Sequence, residues 1–190
     1  RNVLFDVLRE SAASQNLESV LDTLAQRLGP VLRFREVAVL IKRADGELVL
    51  QAAWGFADPA KVLGKTVRYG EGLTGGAAAS GKTVHVTDVA SSPDYLAFWG
   101  EVARTGSFIA VPIRAGGETI GMLALTRPPS DPLKAAESRY LAAVADQVAL
   151  AIKNAQLFAK LEELSTKDEL TGLPNRRYLN ERLERDITES

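Results

Sequence analysis

Six short segments rich in apolar and β-branched residues occupy the middle of the chain, and hairpin turns join two pairs of them. The segments are EVAVLIKR, ELVLQAAW, KTVRY, TVHVTD, SFIAVPIR and TIGMLALTR. The turn ADG joins the first pair, where Asp45-Gly46 can adopt positive φ values, and AGGE joins the last pair. Because hairpins join antiparallel strands, the pattern predicts an α+β fold on a central, mostly antiparallel sheet of about six strands.

Helical periodicity flanks these strands at both ends of the chain. Ahead of them, one apolar stripe at four- and three-residue steps predicts a helix that ends at Gly29-Pro30, with Leu17, Leu21, Leu24 and Leu28 on its buried face. The stretch NVLFDVLRE predicts a separate lead-in helix within residues 1–14. After the strands, Asp131 followed by Pro132 predicts the start of a long C-terminal helix.

The C-terminal helix carries two apolar stripes on different faces. The first predicts packing on the sheet and comprises Leu141, Val144, Val148, Ile152 and Ala155. The second has heptad spacing over a linker helix at 150–167 and comprises Leu150, Asn154, Leu157, Leu161 and Leu164. A heptad seam predicts a coiled coil, in which a core asparagine fixes register. The alternative is a long amphipathic helix with two unequal apolar faces.

Composition excludes several classes of function. The net charge of −1 gives no general electrostatic reason to bind nucleic acid or an anionic membrane surface, and no apolar run approaches the ~20 residues of a membrane span. Without cysteine there is no disulfide, zinc–thiolate site or thiol nucleophile, and no metal site is predicted. We expect a cytoplasmic protein. Because the chain begins at Arg1 and not at Met, we also expect it to be part of a longer protein.

The spacing of three glycines matches the sequence motif of a dinucleotide-binding turn. Gly70, Gly72 and Gly75 have the G-x-G-x-x-G spacing, KTVRY precedes them and Asp88 follows. A dinucleotide fold needs a longer helix between two buried parallel strands, whereas LTGGAAAS allows about two turns before Gly81. We therefore interpret the pattern as a strand-to-helix turn.

The long segment VASSPDYLAFWGEVARTG interrupts the strand pattern and concentrates aromatic residues. Long connections often form binding loops, so we predict a pocket for a small organic or anionic ligand. The candidate residues are Trp54, His85, Tyr95, Phe98, Trp99, Arg104 and Ser107. The alternative is that the aromatic residues cover one end of the core.

The order of these elements resembles a GAF domain over residues 15–160. The resemblance is carried by VLDTLAQRLGPVL, VAVLIKRADGELVLQAAWG, GEGLTGGAAASGKTVHVTDV, SFIAVPIRAGGETIGMLALTRP and LAAVADQVALAIKNAQLF. It implies helices on one face of the sheet, a ligand pocket on the other, and a parallel homodimer through the terminal helices. The absence of cysteine argues against the bilin-binding and methionine-sulfoxide-reducing members. No cofactor is identified, and His85 is a weak candidate for a haem ligand.

A second resemblance follows at residues 168–190, which look like the truncated start of a GGDEF domain, the diguanylate cyclase module. The matching residues are Asp168, Leu170, Thr171, Gly172, Leu173, Asn175, Arg176 and Arg177. The resemblance implies a sensor region of a bacterial diguanylate cyclase, which makes cyclic di-GMP from GTP. GTP and magnesium are expected only for the missing module, so no catalytic residue is predicted here and this piece is not expected to be an enzyme. The alternative is a passive dimerisation scaffold or a small-ligand-binding module, with regulation entering from another domain or with a degenerate cyclase.

Overall fold

A computed structural model of the protein describes residues 16–95, 105–166, 171–174 and 179. Six strands form one sheet in the order β3-β2-β1-β6-β5-β4, and every neighbouring pair is antiparallel. The strands are β1 Glu36–Lys42, β2 Leu48–Trp54, β3 Thr66–Val67, β4 Val84–Val86, β5 Ser107–Ala115 and β6 Glu118–Arg127. The helices are α1 Leu17–Leu32, α2 Gly72–Ser80 and α3 Ala135–Thr166. The α+β class and all six strand segments are thus confirmed, whereas the lead-in segment 1–14 lies outside the described residues.

The sheet separates two apolar clusters. The first cluster lies between one face and helices α1 and α3, and it contains most of the predicted stripes of both helices, including Leu24 and Val148. The second cluster lies on the other face, where α2 contributes Ala77 and Ala78. Because side chains alternate along a strand, the four longer strands β1, β2, β5 and β6 supply residues to both clusters.

Helix α1 runs past the glycine and proline that were predicted to end it. It continues to Leu32 with Pro30 inside its last turn, and Arg33 caps it in the left-handed conformation (φ 56°). The prediction that this helix ends at Gly29-Pro30 was wrong, because Gly29 allows the helix to pack closely on Trp54 of the sheet. A Cβ there would lie 2.0 Å from the Trp54 ring.

Helix α3 begins at Ala135 and not at Asp131-Pro132, as the sequence suggested. The Glu137 carboxylate accepts a hydrogen bond from the Lys134 amide at 2.8 Å, so the capping group comes from inside the first turn. No helix among the described residues is long and apolar enough to cross a membrane.

The interpretation of the glycine pattern as a strand-to-helix turn is confirmed. Strand β3 ends at Val67 and α2 begins at Gly72, with Gly70 and Gly72 at positive φ values of 83° and 59°. The strands before and after α2 lie at opposite edges of an antiparallel sheet. A dinucleotide turn instead lies between parallel strands.

Candidate functional site

The predicted ligand residues do not converge, because the sheet divides them. Trp54 on β2 is paired with Val37 and packs against the first cluster, where its ring lies over Gly29. His85 on β4 is exposed and is paired with Ile109, another residue of the first cluster. Both side chains therefore lie on the face opposite the second cluster.

Ser107 has a structural role in the part of the chain that leads to α3. It is 1% exposed, and its hydroxyl accepts a hydrogen bond from the Leu133 amide at 3.2 Å. Its strand partner is Arg127 and its neighbour Phe108 belongs to the second cluster, so alternation places Ser107 on the first-cluster face. The structure therefore does not bring Trp54, His85 and Ser107 together with Tyr95 in one pocket.

Tyr95 is the described candidate that belongs to the second cluster. Its ring meets Phe108 edge-on, with 5.6 Å between centroids and an interplanar angle of 69°. Phe98, Trp99 and Arg104 lie outside the described residues. Strand parity in TVHVTD separates His85 from Val84 and Val86. In SFIAVPIR both faces are apolar and buried, so the local pattern does not tell which face Ser107 takes.

Arg127 forms a polar clasp at the base of α3 that the sequence did not predict. It is 4% exposed, and its guanidinium donates to the Leu32 carbonyl and to both carboxylate oxygens of Glu137, at 2.6 and 3.2 Å. The guanidinium also lies over the Phe34 ring, 4.9 Å from its centroid. One buried cation thereby ties the end of α1, the end of β6 and the first turn of α3.

The clasp lowers the pKa of the Glu137 carboxyl group. Burial by itself would raise the pKa of Glu137, but hydrogen bonds from the Lys134 amide and the Arg127 guanidinium outweigh burial and hold that pKa below its usual value. The carboxylate therefore stays ionised at neutral pH. This internal anion already occupies the guanidinium and the N-terminal amide of α3, where an external anion would otherwise bind.

The predicted heptad stripe lies on the surface of α3. Its leucines are the most exposed large apolar side chains of the helix: Leu150 at 56%, Leu157 at 60%, Leu161 at 63% and Leu164 at 51%. Asn154 is exposed on the same helix. Single exposed leucines need no explanation, but four with heptad spacing form a continuous unpartnered stripe.

The residues that resemble a GGDEF opening are described only in part. Thr171, Gly172 and Leu173 lie in a short turn region, where the Thr171 hydroxyl accepts from the Leu173 amide at 3.4 Å and Leu173 is 64% exposed. Asp168, Leu170, Asn175, Arg176 and Arg177 lie outside the described residues.

A sheet of this strand order, with two helices on one face and a small helix on the other, defines the chain as an α+β regulatory domain of the sensor class. The family model described as GAF domain matches residues 16–152, and the chain belongs to that family.

Curated relatives include a Nif-specific regulatory protein of Herbaspirillum seropedicae, 28% identical over 159 residues, and Protein YtsP of Bacillus subtilis, 32% identical over 111 residues. The matches cover 79% and 58% of this chain but only 29% and 63% of those proteins. Among solved structures, the GAF domain of a phosphoenolpyruvate-protein phosphotransferase from Coxiella burnetii is 25% identical, with a TM-score of 0.70 over 83% of this chain and 95% of that one.

Proposed function

We propose that this chain is the regulatory region of a cytoplasmic bacterial diguanylate cyclase and forms a parallel homodimer through α3. The observation that carries the proposal is the leucine stripe of α3, which leads directly towards the DELTGLPNRR segment. One face of the helix is buried on the sensor domain and the other is free for a partner helix. A change in the domain could therefore alter how two cyclase modules meet.

Geometry supports a helix pair of useful length. The stripe extends from Leu150 to Leu164, which at 1.5 Å per residue is about 20 Å of helix. In a parallel pair the Asn154 side chains would face each other and select the in-register arrangement over slipped ones. The chain itself would supply no cyclase chemistry, and GTP and magnesium would bind to the GGDEF module.

Sedimentation of the 190-residue chain tests the dimer. We expect a dimer at micromolar concentration and a monomer for Leu157→Gln combined with Leu161→Gln, because both leucines would leave the seam. The matched control is Leu63→Gln, which removes a leucine that is 45% exposed and lies far from α3 in sequence. A wild-type monomer, or a dimer that persists in the double variant, would refute pairing through this stripe.

Cyclase assays on the longer protein test the link to GTP chemistry. We expect cyclic di-GMP formation from GTP and magnesium, and a loss of at least tenfold in the Leu157→Gln, Leu161→Gln variant because two modules must meet. A longer protein that forms no cyclic di-GMP, but still dimerises, would refute the cyclase assignment and leave the helix pairing intact.

The passive-scaffold alternative is favoured by the close packing of the second cluster. Its buried members, which include Tyr95, Phe108 and Met122, are between 0% and 6% exposed. Native mass spectrometry separates the two cases. A dimer with a reproducible extra mass that denaturation releases supports a ligand sensor, whereas a dimer of bare chain mass supports the scaffold.

A further inference from the structure

Helix α2 is held to the domain mainly by small side chains. Three of its nine residues are glycine, a poor helix former, and its buried side chains belong to Thr74, Ala77 and Ala78. Its one large apolar side chain, Leu73, is only partly buried against the second cluster. By contrast, α3 buries leucine, valine and isoleucine side chains in the first cluster. An element with weak propensity and little buried apolar area belongs to the low-stability end of a structure, where local opening is frequent.

Thr119 on β6 fastens α2 near both of its ends. Its carbonyl accepts a hydrogen bond from the Tyr69 hydroxyl at 3.1 Å, in the turn just before α2. Its own hydroxyl donates to the Ala78 carbonyl at 3.3 Å, in the last turn of α2. The β5–β6 register shifts here from Ile113–Gly121 to Arg114–Thr119, so Ile120 is an extra residue in β6 beside Thr119.

Lys42, the last residue of β1, makes a further contact with the Tyr69 ring. The Lys42 ammonium lies 5.3 Å from the ring centroid and forms an ion pair with Glu118, the residue before Thr119, at 2.5 Å. The hydrogen bond that the Lys42 ammonium donates to the Glu118 carboxylate raises the pKa of Lys42, so the ammonium stays charged over the ring.

We propose that α2 is a lid that opens as a unit from the second apolar cluster, and that Thr119 is the clip that sets how often it opens. The residues that share this cluster with Ala77 and Ala78 are apolar, among them Ala110 and Met122. The open state therefore exposes an apolar surface, which suits an uncharged apolar or aromatic molecule. The lid depends on neither the homodimer nor the cyclase.

Hydrogen exchange with mass spectrometry tests the clip on the chain as it is. Tyr69→Phe removes one bond and Thr119→Val the other, and each should accelerate exchange of the α2 amides roughly three- to tenfold. Exchange in α1 and in residues 138–155 of α3 should not change. The control is Arg43→Gln, which removes an exposed ion pair with Asp45 next to Lys42 and should leave α2 unaffected.

Replacement by alanine should have opposite effects on lid opening at the adjacent positions Gly75 and Gly76. A Cβ on Gly76 meets nothing within 4 Å, so Gly76→Ala should strengthen the helix and slow α2 exchange roughly fivefold. A Cβ on Gly75 would lie 2.1 Å from the Arg68 carbonyl, so Gly75→Ala should accelerate it. Fluorescence of 8-anilinonaphthalene-1-sulfonate should rise with the opening variants and fall with Gly76→Ala.

Several outcomes would overturn the proposal. Unchanged α2 exchange in both Tyr69→Phe and Thr119→Val would show that Thr119 is not the clip. Equal acceleration in α1, α2 and α3 would show global unfolding and no separate lid. Failure of Gly76→Ala to slow exchange would show that the α2 amides do not exchange through cooperative unfolding of this helix.

Discussion

Helix α3 has a buried half, up to Ile152, and an exposed half beyond it, and both carry large apolar side chains. In the buried half, Leu141, Val144, Val148 and Ile152 are each 0% exposed against the sheet. In the exposed half, Leu157, Leu161 and Leu164 are between 51% and 63% exposed. One continuous helix therefore stabilises the domain with one half and presents an unpartnered stripe with the other, which suits a connection between a sensor and its output.

The largest contrast should come from the same substitution made in each half. Leu141→Ala should lower the free energy of unfolding by about 2–5 kcal/mol, because it opens a cavity in the first cluster. Leu161→Ala should change it by less than about 0.5 kcal/mol, because its side chain already faces solvent. Urea unfolding of the chain measures both.

The protein concentration in that experiment must be kept below the dimer dissociation constant, since association adds to the apparent stability. If Leu141→Ala and Leu161→Ala lowered the free energy of unfolding equally at such a concentration, the exposed half of α3 would have to pack on the domain as the buried half does.

The Arg127 clasp should account for the next largest effect, at the start of the buried half. Arg127→Met should cost about 2–4 kcal/mol, because it leaves the Leu32 carbonyl without its donor and the Glu137 carboxylate without its guanidinium partner. Chemical denaturation measures the loss. The double variant Arg127→Met, Glu137→Gln should lose less unfolding free energy than the two single losses added together. A loss equal to their sum would argue against direct coupling of the two side chains.

A smaller effect is expected at Asn154, in the exposed half. Asn154→Leu should tighten the dimer roughly tenfold, because a leucine at a seam position adds apolar contact, while regulation in the longer protein should weaken. Sedimentation equilibrium measures the dissociation constant, and Lys153→Leu beside it is the control. A dissociation constant unchanged by Asn154→Leu would place Asn154 outside the seam.

The fold was more predictable than the site because the two depend on different information. Local period and turn chemistry located all six strands, and the buried and exposed stripes of α3 were both visible in its spacing. The division of Trp54, His85 and Ser107 from Tyr95 depends on which face each strand position takes in the assembled sheet. In the Arg127 clasp, Arg127 bonds to Leu32, which lies 95 positions earlier in the chain, so no local sequence pattern predicts it.

At Gly29-Pro30, too, tertiary structure decided an outcome that the local sequence pattern did not predict. The pair is a standard helix-ending signal, yet α1 continues because the glycine is required beneath the Trp54 ring. Tertiary packing overrode the local signal where Gly29 meets the Trp54 ring.

The smallest expected effect is the pH dependence contributed by Glu137. Its pKa in the folded state lies below the ordinary value of a glutamate, so its stabilisation is complete above that ordinary pKa and is lost as pH falls through the folded-state pKa. The difference in unfolding free energy between wild type and Glu137→Gln should therefore be constant near neutral pH and shrink in acid. Urea titrations over a pH series measure this difference.

Glu118→Gln is the matched control for that series. Its carboxyl pKa is also lowered, first by the hydrogen bond from Lys42, but the carboxylate is exposed and its interaction is screened by solvent. We expect no resolvable change in the pH slope from Glu118→Gln and a clear one from Glu137→Gln. Equal slopes would show that the clasp at the base of α3 stabilises the fold no more than a surface ion pair does, and the buried half would then depend on apolar packing alone.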